Sequence, residues 1–224
     1  MLNPRKQRKY TKKKKNKEKQ DNVFSQHYAR GGWGSGNKSG PGSSMIQTIA
    51  IRTFLPVLLQ KYNINTFLDI SCGGMNWLPH VLKLRPNMNF IGLDVADTII
   101  EENKKKFKTQ KRWSFRCWDA TKETITAEAD MAMCRHTMMH LSLENAKKML
   151  DNLWQTSNKI LLTSHESVTR NPDTNRRHLI KGRGGGYHWA HMNMRLEPFN
   201  LPEPTFKFKE TTSNSGEFLY LYVR

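Results

Sequence analysis

Phe67-Leu68-Asp69-Ile70-Ser71-Cys72-Gly73-Gly74-Met75-Asn76-Trp77 is the stretch from which the rest of the chain can be read. A short apolar run carrying an acid and running into two adjacent glycines predicts a strand over 66–71 followed by a tight turn. Gly73 and Gly74 let the main chain come close to a bound ligand, because glycine adopts backbone angles that a Cβ forbids. A short helix over 77–83 follows, and then the pattern repeats. NFIGLD (Asn89–Asp94) reads as a second strand with a helix over 97–107 behind it. Trp113–Cys117 is a third strand, 130–134 a fourth and 159–164 a fifth. A helix over 142–156 joins the last two, with Leu143, Ala146, Met149, Leu150 and Leu153 on one face.

Apolar strands alternating with helices imply parallel pairing with both faces of the sheet covered. Upstream, Ser43 or Ser44 can cap a helix whose apolar positions Ile46, Ile49, Ala50, Phe54, Leu58 and Tyr62 recur at three- and four-residue spacing. Pro56 should kink it or tighten a turn. Two last runs, 205–209 and 218–223, have no helix between them and predict an antiparallel hairpin at one edge of the sheet. The expectation is an α/β fold around a mostly parallel seven-stranded sheet.

In doubly wound sheets, ligands bind beyond the carboxyl ends of the strands, where the strand order reverses. Three acids stand at such ends. Asp69 can accept from an ammonium group, Asp94 from ribose hydroxyls, and Asp119, beside Trp118, from an adenine amino group. Each also has an ordinary use, Asp94 as a helix cap and Asp119 as a turn residue. Their joint occurrence on successive strands favours one adenosyl site. A nicotinamide dinucleotide is disfavoured because G-x-G-x-x-G is absent.

Residues 27–224 resemble class I methyltransferases whose N-terminal segment carries a W-G-x-G-S-G-x-G-S-type loop. The residues that carry the resemblance are Trp33-Gly34-Ser35-Gly36 and Ser39-Gly40-Pro41-Gly42-Ser43-Ser44. It continues through FLDISCGG, FIGLDV, CRHTMMHL after the fourth strand and LEPFNLPEP before the hairpin. The resemblance implies a Rossmann-like class I fold and S-adenosyl-L-methionine as cofactor. That cofactor would be held by Asp69, Ser71, Gly73, Gly74, Asp94 and Asp119, with Trp33 and Ser44 from the loop. Two departures stand out. Ser71 replaces the usual first glycine of D-x-G-x-G, and Met75 replaces a small residue, so its side chain must point away from the cofactor.

The residues after the fourth strand would face the transferable methyl group. His136 is the candidate base, since imidazole titrates near neutrality, and Arg135 can orient an anionic acceptor. His140 reads as a packing residue. No N/D/S-P-P-Y/F motif and no Pro-Cys nucleophile follows that strand, and Asp130 stands at its start, where a ribose-methylating acid would be misplaced. The spacing His188-x-x-His191, with His165 and His178, lacks cysteine or acidic ligands in sequence and gives no metal assignment.

The formal net charge is +18, and residues 1–30 supply half of it, with 11 Lys and Arg against two acids. A charge of this size attracts polyanions and makes nucleic acid the leading partner class. Residues 1–26 are low in complexity and read as a disordered basic tail, leaving 27–224 as the catalytic domain. Arg176-Arg177-His178 and the Lys181–Trp189 stretch KGRGGGYHW can contact phosphates and stack on bases, so residues 176–189 are a second candidate nucleic-acid contact. Cys72, Cys117 and Cys134 form no CxxC pair or even-numbered framework, which suggests a reducing compartment. With no apolar run of about 20 residues and no signal sequence, the expected location is intracellular, nuclear or cytoplasmic. The expected function is methyl transfer to RNA or another nucleic acid. A small-molecule, glycan or protein acceptor, or a non-catalytic nucleic-acid-binding domain of the same fold, are the alternatives.

Overall fold

A computed structural model describes residues 24, 25, 28, 39–172, 190–210 and 216–224. Residues 1–23 of the expected basic tail, Trp33 and the expected 176–189 contact lie outside these residues. The elements are α1 (Ile49–Lys61), β1 (Thr66–Asp69), α2 (Leu78–Leu82), β2 (Asn89–Asp94), α3 (Asp97–Lys106) and β3 (Trp113–Cys117). They continue with β4 (Met131–Cys134), α4 (Leu143–Thr156), β5 (Lys159–His165), β6 (Phe206–Lys209) and β7 (Glu217–Val223).

The seven strands form one sheet in the order β3-β2-β1-β4-β5-β7-β6. All pairs from β3 to β5 are parallel, and β7 lies antiparallel between β5 and β6. Strand order reverses between β1 and β4, which puts the crevice of a doubly wound sheet at the carboxyl end of β1. The hairpin is the expected one, with β6 forming the edge.

Period-two alternation decides which core each strand residue joins. Phe67, Phe90, Met131, Met133 and Leu161 pack under α1, α2 and α3. Their neighbours Leu68, Ala132, Cys134, Ile160 and Leu162 pack under α4. The α4 face is the predicted one: Ala146, Met149, Leu150 and Leu153 are buried, and Ser142 Oγ caps the helix by accepting from Asn145 N at 3.2 Å.

The first helix departs from expectation. It begins at Ile49, and its buried stripe is Ile51, Leu55, Leu58 and Leu59. Ile46, Ile49 and Phe54 of the predicted face are exposed, Ile46 to 78%. The segment carries two apolar stripes about half a turn apart, and the one richer in leucine fills the core. Phe54 packs outward instead, its ring 4.7 Å from that of Phe208 on β6. Pro56 sits within the continuous helix, so only the Arg52 carbonyl loses its usual donor. Strand β1 ends at Asp69, two residues before the predicted end, although Ile70 N still donates to Met133 O. Among the described residues, no helix is long and apolar enough to cross a membrane.

Candidate functional site

The glycine turn after β1 is held from three sides. Gly73 has φ +52°, and its N–H donates to Asp94 Oδ2 at 3.0 Å. Its carbonyl accepts from Asn103 Nδ2 of α3 at 2.7 Å. Gly74 N donates to Ser39 Oγ at 2.5 Å, and a Cβ built on Gly73 would stand 2.4 Å from that oxygen and 3.3 Å from the Tyr28 hydroxyl. Ser39 and Tyr28 thus lie directly on the turn. Asn76 Nδ2 adds a contact to Ser43 Oγ. Met75, also at positive φ, buries its side chain in the core beneath α1–α3, as the sequence required.

The three predicted acids stand at the carboxyl ends of adjacent strands. Asp69 pairs with Gly92, two residues before Asp94, and Asp94 pairs with Cys117, two residues before Asp119. Their surroundings differ. Asp69 is buried, accepts from Ser71 N at 3.1 Å, and is pushed up to about 7, chiefly by burial and further by the nearby Asp94 carboxylate. Asp94 spends one oxygen on Gly73 N and the other on Ala96 N, also at 3.0 Å; burial raises it to about 6 against these hydrogen bonds. Asp119 is half-buried. Its Oδ1 accepts from the Thr121 hydroxyl at 2.6 Å and its Oδ2 pairs with Lys122 at 3.0 Å. Burial works against its charge, but Thr121 and Lys122 outweigh that and hold it low.

Among the described residues Asp69, like Asp94, has no cationic hydrogen-bonding partner, and the Ser71 hydroxyl oxygen beside it is buried without a hydrogen bond. Such groups normally have partners. A ligand carrying an ammonium and further polar atoms fits both. Ser44 caps the turn entering α1: its Oγ accepts from Gln47 N and its carbonyl from Thr48.

The second half of the site lies beyond β4. Arg135 is buried, its Nε donating to Glu210 and its Nη2 to Gly42 O at 2.7 Å, with the guanidinium over the Trp77 ring. His136 has φ +55°, and its N–H donates to Thr163 Oγ1. Its Nε2 stands 2.8 Å from Glu217 Oε1 and 3.3 Å from Glu210 Oε2. Burial and Arg135 oppose a charge on His136, but the two carboxylates outweigh them and raise it above the ordinary histidine range. Gly42 covers the other side of the ring; a Cβ there would meet His136 Nδ1 at 2.5 Å. The Cys134 thiol is buried and pushed well up, which removes it as a nucleophile. His140 lies in a 3-10 turn, Met138–His140, before α4.

Sequence reasoning missed Glu210, Glu217 and Asn103, and met His165 only as a companion of His178, His188 and His191 with no metal assigned. Glu217 and Glu210 flank the hairpin loop as two unremarkable acids. They reach the site because β7 runs antiparallel to β5, which pairs His165 with Glu217 at the same end of the sheet.

Residues 67–159 match a family model described as a methyltransferase domain, a span from β1 to the first residue of β5. The fold is that of a class I methyltransferase. The chain is similar to the N-methyltransferase NodS of Bradyrhizobium japonicum, solved with S-adenosyl-L-homocysteine: 14% identity over 91% of this chain and 99% of that one, TM-score 0.65. An S-adenosylmethionine-dependent methyltransferase of Clostridium acetobutylicum is 14% identical over 81% and 93%, TM-score 0.58. The magnesium protoporphyrin IX methyltransferase of Synechocystis, with bound S-adenosylmethionine, is 14% identical over 78% of each chain, TM-score 0.55. No curated protein sequence matches the chain.

Proposed function

We propose that this protein is an S-adenosyl-L-methionine-dependent methyltransferase whose acceptor is RNA or another nucleic acid. The observation that carries the cofactor reading is the buried Asp69 carboxylate, pushed up to about 7 beside a glycine turn, within the matched methyltransferase domain. A buried acid in that state favours a positively charged ligand, and the cofactor brings an ammonium. Asp69 and Ser71 take the amino-acid end, Gly73 and Gly74 give the close main-chain approach, and Asp94 and Asp119 take the ribose and the adenine.

The cofactor supplies an electrophilic methyl group on a sulfonium. The protein's task is to hold an acceptor atom in line with it, and positioning alone accounts for much of such a rate. Arg135 and His136, past the end of β4, face that acceptor. The charge of +18 supports a polyanionic acceptor, with residues 1–26 as an electrostatic tether and residues 176–189 as a second contact.

Incubating the full chain with methyl-labelled cofactor and fractionated cell extract tests the proposal. Label in RNA or DNA is the expected result. Label confined to protein, glycan or small metabolites would overturn the acceptor, and no transfer to any fraction would overturn the activity.

A further inference from the structure

We propose that His136, Glu210 and Glu217 form a binding site for one divalent transition-metal cation, of the Zn²⁺ or Mn²⁺ type, with His165 beside it. The first three residues bring one ligand atom each to within 4.8 Å of one another. They come from the loop after β4, the end of β6 and the start of β7, so the fold, not local sequence, assembles them. Nitrogen and oxygen donors at about 2.0–2.2 Å from a cation lie about 2.9–3.5 Å apart in tetrahedral or octahedral arrangements. The separations here are 2.8 Å for His136 Nε2 to Glu217, 3.3 Å for His136 Nε2 to Glu210 and 3.4 Å for His165 Nε2 to Glu217.

His165, outside that trio, points the same way. Its side chain is 1% exposed, and its Nε2 faces Glu217 Oε2 without a hydrogen bond. Glu210 Oε2 is likewise buried and without a hydrogen bond, although Glu210 Oε1 is fixed by Arg135 Nε. Among the described residues a buried carboxylate oxygen left unbonded is uncommon, and a cation between His136, Glu210 and Glu217 would satisfy it. The remaining interactions suit ligands held in place. His165 Nδ1 lies 3.3 Å from both the N–H and the carbonyl oxygen of Met192, which fixes its ring beside Glu217, and Arg135 holds Glu210. An imidazole with two carboxylates favours zinc or manganese over magnesium or calcium, which prefer oxygen donors throughout.

A cation here would take the place of the proton shared between His136 and the carboxylates. It would offer an open position to an acceptor oxygen and make that oxygen easier to deprotonate. This last role rests on the methyl-transfer reading; the binding does not.

An untagged full chain, stripped with a chelator, is titrated with Co²⁺ as a spectroscopic probe and with Zn²⁺ in competition with a chromophoric chelator. The expected result is one saturable equivalent, with visible Co²⁺ absorption, weakened at least tenfold by Glu217→Gln and by His136→Asn. Glu210→Gln should behave alike where its circular dichroism matches the parent; if it does not fold, the other two variants decide. Absence of saturable binding in the parent chain overturns the site, and so does parent-like affinity in both Glu217→Gln and His136→Asn. Binding of S-adenosylhomocysteine, measured on the same samples, reports separately on the methyltransferase reading.

Discussion

Asp94 Oδ2 accepts the N–H of Gly73 at 3.0 Å across 21 residues of sequence, tying the end of β2 to the turn that follows β1. The other Asp94 oxygen accepts from Ala96 at the start of α3. A single carboxylate therefore holds the glycine turn and a helix entrance in register, and it is also the acid assigned to the ribose. Asp94→Asn keeps the shape but only one accepting oxygen, leaving one buried N–H unpaired. It should cost about 1–3 kcal/mol of stability, read by urea unfolding. Asp94→Ala should also weaken S-adenosylhomocysteine by more than tenfold in calorimetry. A parent-like affinity would refute the ribose assignment.

Gly73 makes a second prediction. At φ +52°, any other residue costs about 1 kcal/mol or more in backbone energy, and a Cβ there meets Ser39 Oγ at 2.4 Å. Gly73→Ala should destabilise the protein and lift residue 39 off the turn. Adding Ser39→Ala should recover the steric part of the loss but not the backbone part, so the double variant unfolds between the parent and Gly73→Ala. Equal stability of the single and double variants would show that the Ser39 contact carries no weight.

The pH dependence has a definite sign. Burial raises Asp69 to about 7 and Asp94 to about 6, above their unfolded values near 3.8. The folded ligand-free chain therefore holds protons that the unfolded chain releases. The stability these groups contribute is complete below about pH 4 and is lost as pH rises to about 7. A cationic ligand at Asp69 expels the proton, so affinity for S-adenosylhomocysteine should rise with pH up to about 7 and then level. The slope approaches roughly tenfold per pH unit. Asp69→Asn should flatten the curve between pH 6 and 7. An unchanged slope in that variant would remove Asp69 from the ligand's surroundings.

The basic tail is tested by salt. Each phosphate neutralised releases counterions, so binding of single-stranded RNA should fall steeply as salt rises from 50 to 200 mM. A chain lacking residues 1–26 should bind more weakly and with a shallower slope in filter binding. Identical curves for both chains would end the tether reading.

How much of this the sequence revealed depended on distance along the chain. The strand and turn from Phe67 to Gly74 were legible because an apolar run, an acid and two glycines sit side by side. The α4 face was legible because only one stripe of that helix is apolar. The α1 face was misread because Ile46, Ile49 and Phe54 compete with Ile51, Leu55 and Leu59, and only the packed sheet chooses between them. Glu210 and Glu217 gave no signal, since their meeting with His136 spans 74 and 81 residues and requires β7 to pair with β5. Asn103 was hidden for the same reason: its bond to the Gly73 carbonyl makes sense only once α3 lies over the turn.

The central claim is that the carboxyl ends of β1 and β2 hold one adenosyl cofactor. Calorimetric titration of the full chain with S-adenosylhomocysteine at pH 7.5 tests it most directly, beside Asp69→Ala as a paired sample. The account predicts one equivalent bound by the parent and at least tenfold weaker binding by the variant. No binding by the parent, or equal binding by both, would contradict it.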